Sequence, residues 1–296
     1  MRCLIIGGDG SIGAELARSL GRRGHGVITT TRRTQGAGDG SFFLDLAGQL
    51  PDLPEVDVAV ICAAVARLEE CRREPELARR VNVTAPLELG RSLRRAGARV
   101  ILLSTAAVFE GNNAHLGESE KPMPRSAYGL LKAEAEARLL DLGALASVLR
   151  LTKVVKPNAG ILSEWIVQLG DSKTVRALSD RRLSPLTVVH AVDAIMALIE
   201  NGEGGIYHAS GAADVSYADA ARFIARRIGV ANDRVEAVRA VDESEVELMP
   251  FTSLATSRLS RLSGFIPPEP LGVLGDVYGH EIAAAQHARK NRLPTV

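Results

Sequence analysis

The sequence predicts a doubly wound α/β fold, in which helices cover both faces of a parallel sheet. Up to Leu151, short apolar runs alternate with longer stretches of helical period, which is typical of strands joined by crossover helices. The runs are also apolar almost throughout. In residues 56–62 only Asp57 interrupts the run, as expected of a strand that is covered on both faces.

The pattern predicts six strands and three helices in the first half of the chain. The strands are predicted at residues 2–6, 26–31, 41–44, 56–62, 100–103 and 146–151. The helices are predicted at residues 12–23, 75–96 and 127–142. A glycine follows each of these helices, and glycine commonly ends a helix.

Beyond Leu151 the alternation of strands and helices is less regular. Helices are predicted at residues 161–169, 192–200, 217–228, 255–262 and 271–289, with a short strand at 205–209. We therefore expect a first domain formed by residues 1–155 and a smaller, mostly helical region formed by residues 156–296. Residues 186–204 are expected to return to the first domain.

The composition excludes some classes of partner. Lys and Arg number 36 against 35 Asp and Glu, so no field of one sign favours nucleic acid or an anionic membrane. Cys3, Cys62 and Cys71 show no paired spacing, which fits a reducing, cytoplasmic setting. No apolar run approaches the roughly 18 to 20 residues that span a bilayer, and no metal site is predicted.

A glycine-rich turn follows the first strand. The chain runs from that strand into Gly7-Gly8-Asp9-Gly10-Ser11-Ile12-Gly13, and helical period follows at once. There Gly7 permits the turn, Gly10 lets backbone N–H groups approach a pyrophosphate, and Gly13 lets helix pack on strand. Ser11 and Ile12 open the helix and belong to the same predicted site. An ordinary loop is the alternative, but the order of strand, turn and helix favours a Rossmann-type dinucleotide site.

The end of the second strand indicates which dinucleotide is bound. NAD-binding proteins usually place an acid about 20 residues after the glycine turn, whereas NADP requires a cation. Here Thr31, Arg32 and Arg33 stand in that place, and guanidinium groups match a 2′-phosphate. The sequence therefore predicts NADP(H) over NAD(H), with a solvated basic loop as the alternative. Asp45 and Leu46 are predicted at the adenine edge, although Asp45 could be a plain strand-end residue.

Two further segments carry side chains suited to proton transfer. Ser104 and Thr105 follow the fifth strand, and Tyr128 and Lys132 lie in the next helix. The Tyr-x-x-x-Lys spacing puts both side chains on one helical face, so the ammonium group can lower the phenol pKa from about 10. A chance pair on a helix surface is the alternative.

Together these segments resemble the extended branch of the short-chain dehydrogenase/reductase superfamily. The resemblance implies that Tyr128 is the general acid/base, that Lys132 also holds the nicotinamide ribose, and that Thr105 hydrogen-bonds the reacting oxygen. Ser104 is the second choice for that last role. The resemblance also implies that the end of the fourth strand lines the cofactor, through Cys62, Ala63 and Ala64. In this superfamily the helix at 75–96 and the next helix commonly form a dimer contact, which implies a possible homodimer.

Within that branch the chain is similar to nucleotide-sugar reductases of the dTDP-dehydrorhamnose reductase type. The similarity lies in Ser104-Thr105, Arg150-Leu151-Thr152-Lys153 and Gly205-Ile206-Tyr207-His208. Ala106-Ala107 stands where that reductase has Asp-Tyr and where dehydratases carry an acid, so reduction or 4-epimerisation remains. Epimerases of this branch usually retain NAD, so the basic end of the second strand favours reduction.

The chain departs from the family pattern at a position that contacts the substrate. Many members hold a diphosphate with an arginine at the position of Leu186. Lys153, or Arg181 and Arg182, could supply the charge instead, although each could equally be a solvated surface cation. The predicted substrate site comprises Lys153 and Arg181 with Thr105 and Ala106. A nucleotide sugar is the predicted substrate; a non-nucleotide ketone, or a subunit that binds NADP(H) without turnover, is the alternative.

Overall fold

The computed structural model describes residues 1–33, 38, 40–240 and 249–292. The strands are β1 (Arg2–Ile6), β2 (Gly26–Thr31), β3 (Ser41–Phe43), β4 (Val58–Ile61), β5 (Arg99–Thr105), β6 (Ala146–Leu151), β7 (Lys153–Val154), β8 (Val175–Leu178), β9 (Arg182–Leu183), β10 (Pro185–Leu186), β11 (Gly205–Ala209), β12 (Val215–Ser216) and β13 (Val235–Val238). The α-helices are α1 (Ser11–Arg22), α2 (Leu68–Arg73), α3 (Pro75–Arg79), α4 (Ala85–Arg95), α5 (Ala127–Leu140), α6 (Gly160–Gly170), α7 (Val188–Asn201), α8 (Tyr217–Ile228), α9 (Ser257–Ser263) and α10 (Pro270–Arg292).

The main sheet confirms the predicted doubly wound fold. Its strands lie in the order β11-β6-β5-β4-β1-β2-β3, and every neighbouring pair is parallel. The prediction of six strands is one short, because β11 pairs with β6 along its whole length. Sequence periodicity shows that 205–209 is a strand, but pairing with β6 is a contact between distant segments that periodicity does not encode. The strand order reverses between β1 and β4, where doubly wound sheets bind their ligands.

Helices cover both faces of this sheet. Successive side chains of a strand point to opposite faces, so Ile5 and Val60 pack on one side with α1 and α7. Leu4 and Ala59 pack on the other side with α4 and α5. The near-continuous apolar runs of the sequence are explained by this two-sided burial.

A second core lies outside the sheet. It is formed by α6, α8 and α10 with β8, and its buried side chains include Trp165, Ile224 and Leu274. The core of the sheet instead includes α7 and β11. The division of the chain into domains stays a prediction. Among the described residues, no helix has both the length and the apolar character needed to cross a bilayer.

The helix predicted at residues 75–96 is interrupted. A π-helical turn at Arg80–Thr84 separates α3 from α4, and such turns disturb the regular hydrogen-bond ladder. Within it, the buried Asn82 accepts a hydrogen bond from the Val65 N–H and donates one to the Val65 carbonyl, both at 2.9 Å. The turn therefore anchors the segment that follows β4 at the strand-order reversal.

Candidate active site

A cleft of about 440 Å³ lies at the carboxyl ends of β1, β2 and β4. It brings together most of the residues predicted to bind the cofactor: Gly7, Gly10, Thr31, Arg32, Asp45, Leu46, Cys62, Ala63 and Ala64. Other predicted residues do not line this cleft, namely Ser11, Ile12, Gly13, Arg33, Tyr128 and Lys132. The lining also includes Asp9, Val65, Leu77 and Val81, which sequence reasoning did not assign to the site.

The glycine turn is shaped for close backbone approach. Gly7 has a φ of +97°, and a Cβ there would lie 2.9 Å from the Ala63 amide nitrogen. A Cβ on the buried Gly13 would collide with the Gly7 carbonyl oxygen. Within the described part of the chain, a Cβ on Gly10, the N-cap of α1, would meet no atom closer than 3.4 Å, and no side chain caps the helix. The space over Gly10 and the free amides of α1 thus fit an anionic group such as a pyrophosphate.

The residues predicted to contact the phosphates of the cofactor lie on α1 and just after β2. Ser11 is exposed at the first position of α1, and Ile12 packs against the core of the sheet. The side chains of Arg32 and Arg33 are exposed. The Arg33 N–H donates to the Thr31 hydroxyl oxygen at 3.0 Å, which fixes the backbone at the end of β2.

The start of α5 lies tightly against the segment that follows β5. The Ser126 hydroxyl caps the helix by accepting from the Gly129 N–H at 2.9 Å. A Cβ on Gly129 would overlap the Ala107 carbonyl oxygen, so only glycine allows this approach. Sequence reasoning missed this role, although a glycine one residue after Tyr128 is a visible signal. The close packing brings the first turn of α5 to the end of β5.

The two hydroxyls predicted at the end of β5 differ in environment. The Ser104 hydroxyl is buried and donates to Oε1 of Glu136. Thr105 is partly exposed, and its Oγ1 accepts from the Ala107 N–H at 3.1 Å. This leaves the Thr105 hydroxyl hydrogen able to donate, so the geometry favours Thr105 over Ser104 for a contact with a ligand.

Lys132 is buried, with 2% of its surface exposed. Burial lowers the pKa of its ammonium group to about 8, while the nearby Glu136 carboxylate raises it. Lys132 also interacts electrostatically with Cys62, whose pKa is raised to about 12 by burial. Because Cys62 lines the cleft, this interaction links Lys132 to the predicted cofactor site.

The pKa of the Tyr128 phenol differs from the prediction. Burial, with a smaller contribution from Cys71, raises the pKa of its phenol to about 12. The predicted lowering of this pKa by Lys132 is wrong in this structure, because loss of hydration dominates the shift and Cys71 adds to it. At neutral pH the phenol is therefore protonated, which is the form that can donate a proton to a carbonyl oxygen.

A buried polar network lies behind the site. Arg150 on β6 forms an ion pair with Glu136 on α5, with Nη2 and Oε2 2.7 Å apart. Its Nη1 lies 3.2 Å from Nε2 of His208, and the His208 Nδ1 lies 3.0 Å from the Ala255 carbonyl oxygen. Since a carbonyl only accepts, the Nδ1 carries the proton and Nε2 accepts from Arg150. Burial and Arg150 lower the His208 pKa to about 4, so this imidazole is neutral.

A smaller pocket of about 180 Å³ lies beside β7, and Lys153, Lys156, Tyr217 and Tyr278 are among its lining residues. The Arg181 guanidinium lies 5.7 Å from the centre of the Tyr217 ring. Desolvation and Arg181 lower the pKa of the Lys153 ammonium group. Of the two cations predicted to contact a diphosphate, Lys153 lines this pocket, whereas Arg181 contacts Tyr217 of its lining and acts electrostatically on Lys153.

Two other positions singled out for the substrate are buried. Leu186 is fully buried and pairs with Val154 between β10 and β7. Ala106 is 6% exposed and packs with Val108, Phe109 and Leu254. Burial of the Ala106 methyl group weighs against a direct contact between that side chain and a substrate.

Comparison with known proteins identifies relatives along most of the chain. The family model described as RmlD substrate binding domain matches residues 1–269. The dTDP-4-dehydrorhamnose reductase of Streptomyces griseus is 28% identical over 267 residues, which cover 87% of this chain and 82% of that protein.

Solved structures agree in fold. The dTDP-4-dehydrorhamnose reductase of Bacillus anthracis, in complex with NADP, gives a TM-score of 0.78 at 19% identity, covering 94% of this chain and 99% of that one. The UDP-glucose 4-epimerase of Thermotoga maritima, with UDP-glucose, gives the same TM-score at 19% identity, covering 95% and 99%. At these identities the likeness shows the fold alone. The match of the family model shows that the chain belongs to the RmlD substrate-binding domain family, a group of nucleotide-sugar reductases within the extended short-chain dehydrogenases/reductases.

Proposed function

We propose that the protein uses NADPH to reduce a keto group of a nucleotide sugar. One observation carries the proposal: a protonated Tyr128 and a buried Lys132 share one face of α5, at the end of the sheet that holds the glycine-turn cleft. The sequence pattern, the fold and the environment of these two side chains all favour proton transfer to a carbonyl oxygen.

The residues of the cleft suit the parts of the cofactor. Beside Gly10, the amides of Ser11 and Ile12 in the first turn of α1 would hold the pyrophosphate. Arg32 and Arg33 would contact the 2′-phosphate through their forked guanidinium groups. The remaining cleft residues would contact the adenine and its ribose, through Thr31, Asp45, Leu46, Cys62, Ala63 and Ala64. Bound in this way, NADPH would supply the hydride for the carbonyl carbon.

The protein's own residues would manage the proton and the geometry. The Thr105 hydroxyl would donate a hydrogen bond to the keto oxygen, and Tyr128 would transfer its phenolic proton to that oxygen as the carbon accepts the hydride. The resulting phenolate would be stabilised by Lys132, which also would hold the nicotinamide ribose. The products would be an alcohol and NADP⁺, and the phenolate would regain its proton from solvent, so one hydride and one proton would be consumed for each ketone.

The substrate class rests on charge at the second pocket. Lys153 and Tyr217 line this pocket, while Arg181 lies over the Tyr217 ring and helps to lower the pKa of Lys153. Two cations and a flat ring suit a diphosphate with an attached base or sugar. They would also replace the arginine that Leu186 does not provide. The Streptomyces griseus relative is named for a 4-keto nucleotide sugar, so such compounds are the first substrates to test.

The test is NADPH consumption with a panel of nucleotide 4-keto sugars. We expect turnover by the unmodified protein, and a fall in kcat of about 10²- to 10⁴-fold in Tyr128→Phe, the usual range for a lost general acid. Tyr207→Phe is a matched control, because that hydroxyl donates to the Glu203 carbonyl at the sheet edge. It should retain its rate within about twofold.

Other outcomes would identify the alternatives. Interconversion of two nucleotide sugars without net NADPH consumption would indicate a 4-epimerase. Reduction of ketones that carry no nucleotide would contradict the diphosphate contacts of Lys153 and Arg181. Tight NADPH binding without any turnover would indicate a non-catalytic subunit.

A further inference from the structure

A carboxylate lies where the glycine turn meets the end of β2. Asp9 stands between Gly7 and Gly10, and its Oδ2 accepts from the Thr31 hydroxyl at 2.8 Å and from the Arg32 N–H at 3.2 Å. Its second oxygen, Oδ1, accepts no hydrogen bond from the part of the chain that the structure describes. Asp9 also lines the cleft together with Thr31 and Arg32.

These contacts concern the group that distinguishes the two dinucleotides. In doubly wound folds, the residues at the end of the second strand meet the 2′ position of the adenine-linked ribose. A carboxylate there accepts a hydrogen bond from a 2′-hydroxyl but repels a 2′-phosphate. Asp9 comes from the glycine turn rather than from the strand end, yet it reaches the same donors.

Two cations that favour NADPH lie just after β2, the strand whose end Asp9 contacts. The exposed guanidinium groups of Arg32 and Arg33 form no ion pair with Asp9 within the described residues. Both therefore remain available to a 2′-phosphate. The end of β2 thus offers one anion and two cations to the same part of a ligand.

We propose that Asp9 is a cofactor-specificity residue that reduces the preference for NADPH and allows NADH to bind as well. This inference rests on the proposed dinucleotide site and adds to it the basis of its selectivity. Oδ1 accepts from the 2′-hydroxyl of NADH, while the same charge opposes the 2′-phosphate of NADPH. Arg32 and Arg33 offset that repulsion.

Binding of NADPH and NADH, followed by nicotinamide fluorescence, tests this without any substrate. The unmodified protein should bind both dinucleotides. Asp9→Asn keeps an acceptor oxygen for Thr31 and Arg32 but removes the charge. It should raise the ratio of the NADH to the NADPH dissociation constant about tenfold, which corresponds to about 1.4 kcal/mol. The rise should shrink at high salt, because ions screen exposed charges.

Asp57→Asn is the matched control, since it neutralises another exposed carboxylate that accepts from a backbone N–H, that of Arg2, at the amino end of the sheet and outside the cleft. It should leave the ratio within about twofold of the unmodified protein, as expected for a charge far from the ribose. An unchanged ratio in Asp9→Asn while both dinucleotides bind, or an equal rise in the control, overturns this inference alone. Exclusive binding of NADPH by the unmodified protein does the same. Failure to bind either dinucleotide overturns the proposed function as well.

Discussion

Nη2 of Arg150 lies 2.7 Å from Oε2 of Glu136, and both side chains are almost fully buried. Arg150 belongs to β6, and Glu136 stands one helical turn after Lys132 on α5. The ion pair therefore fixes to the sheet the helical face that carries Lys132. It also supplies the negative charge that raises the Lys132 pKa against burial.

Removal of the Glu136 charge should destabilise the fold. Glu136→Gln leaves Arg150 charged and buried without its counter-ion, and breaking such a pair costs about 3–5 kcal/mol. Urea unfolding at neutral pH measures the change. The control is Glu134→Gln on the same helix, where the ion pairs with Arg79 and Arg138 are partly exposed and should contribute far less. Equal losses in the two variants would contradict the buried-pair explanation.

Lys132→Met should stabilise the protein while it abolishes turnover. The fall of the Lys132 pKa from 10.5 to about 8 corresponds to about 3 kcal/mol of unfavourable free energy when the ammonium is charged. Because the folded-state pKa lies below the unfolded one, the penalty is full below about pH 8 and disappears as the pH rises through about 10.5.

Unfolding free energies at two pH values check this prediction. The gain in Lys132→Met should be about 3 kcal/mol at pH 7 and about half of that at pH 9.5. A destabilised variant, or a gain that does not depend on pH, would show that desolvation of Lys132 is not the dominant effect.

Arg32→Asp should weaken NADPH binding far more than NADH binding. The substitution would replace the proposed charge-assisted contact to the 2′-phosphate with a repulsive one, so we expect the NADPH dissociation constant to rise at least about tenfold. Arg18→Asp makes the same charge change on α1, where Arg18 pairs with Glu15, and serves as the control. Equal weakening of both dinucleotides in Arg32→Asp would refute the assignment of the 2′-phosphate site.

Asn82→Ala should weaken both cofactor binding and the fold. The substitution leaves the Val65 N–H and carbonyl without their partners, and an unsatisfied buried group costs about 1–3 kcal/mol. Because Val65 lines the cleft, NADPH and NADH should lose affinity by similar factors. Thermal unfolding and dinucleotide titration measure the two effects. Loss of stability without loss of affinity would mean that the segment after β4 keeps its position by other contacts.

The sequence was sufficient for features that are encoded locally. The strand, glycine turn and helix around Gly10 are contiguous, and the spacing of Tyr128 and Lys132 follows from helical geometry alone. The cleft gathers nine predicted residues because parallel strands end at one edge of a sheet. The roles of Thr105, Tyr128 and Lys132 stay predictions.

Features that depend on residues far apart in the sequence could not be predicted from it. The ion pair of Glu136 with Arg150 forms only because α5 packs on β6, and the hydrogen bond of Asp9 with Thr31 forms only because the glycine turn lies beside β2. The phenol pKa was predicted in the wrong direction for the same reason. Helical spacing gives the neighbour of Tyr128 but not how much water the fold removes from it.

The return of the chain to its first sheet means that the first 155 residues do not form a closed unit. Because α7 packs against α1 and β11 extends the sheet beyond β6, a fragment ending at residue 155 would uncover an apolar helix face and an open strand edge. Unpaired edges of this kind recruit other strands. The two cores therefore alternate along the chain, since α6 lies before α7 and β11 whereas α8 and α10 lie after them. The second core could be exchanged between relatives only by grafting at several crossover points at once.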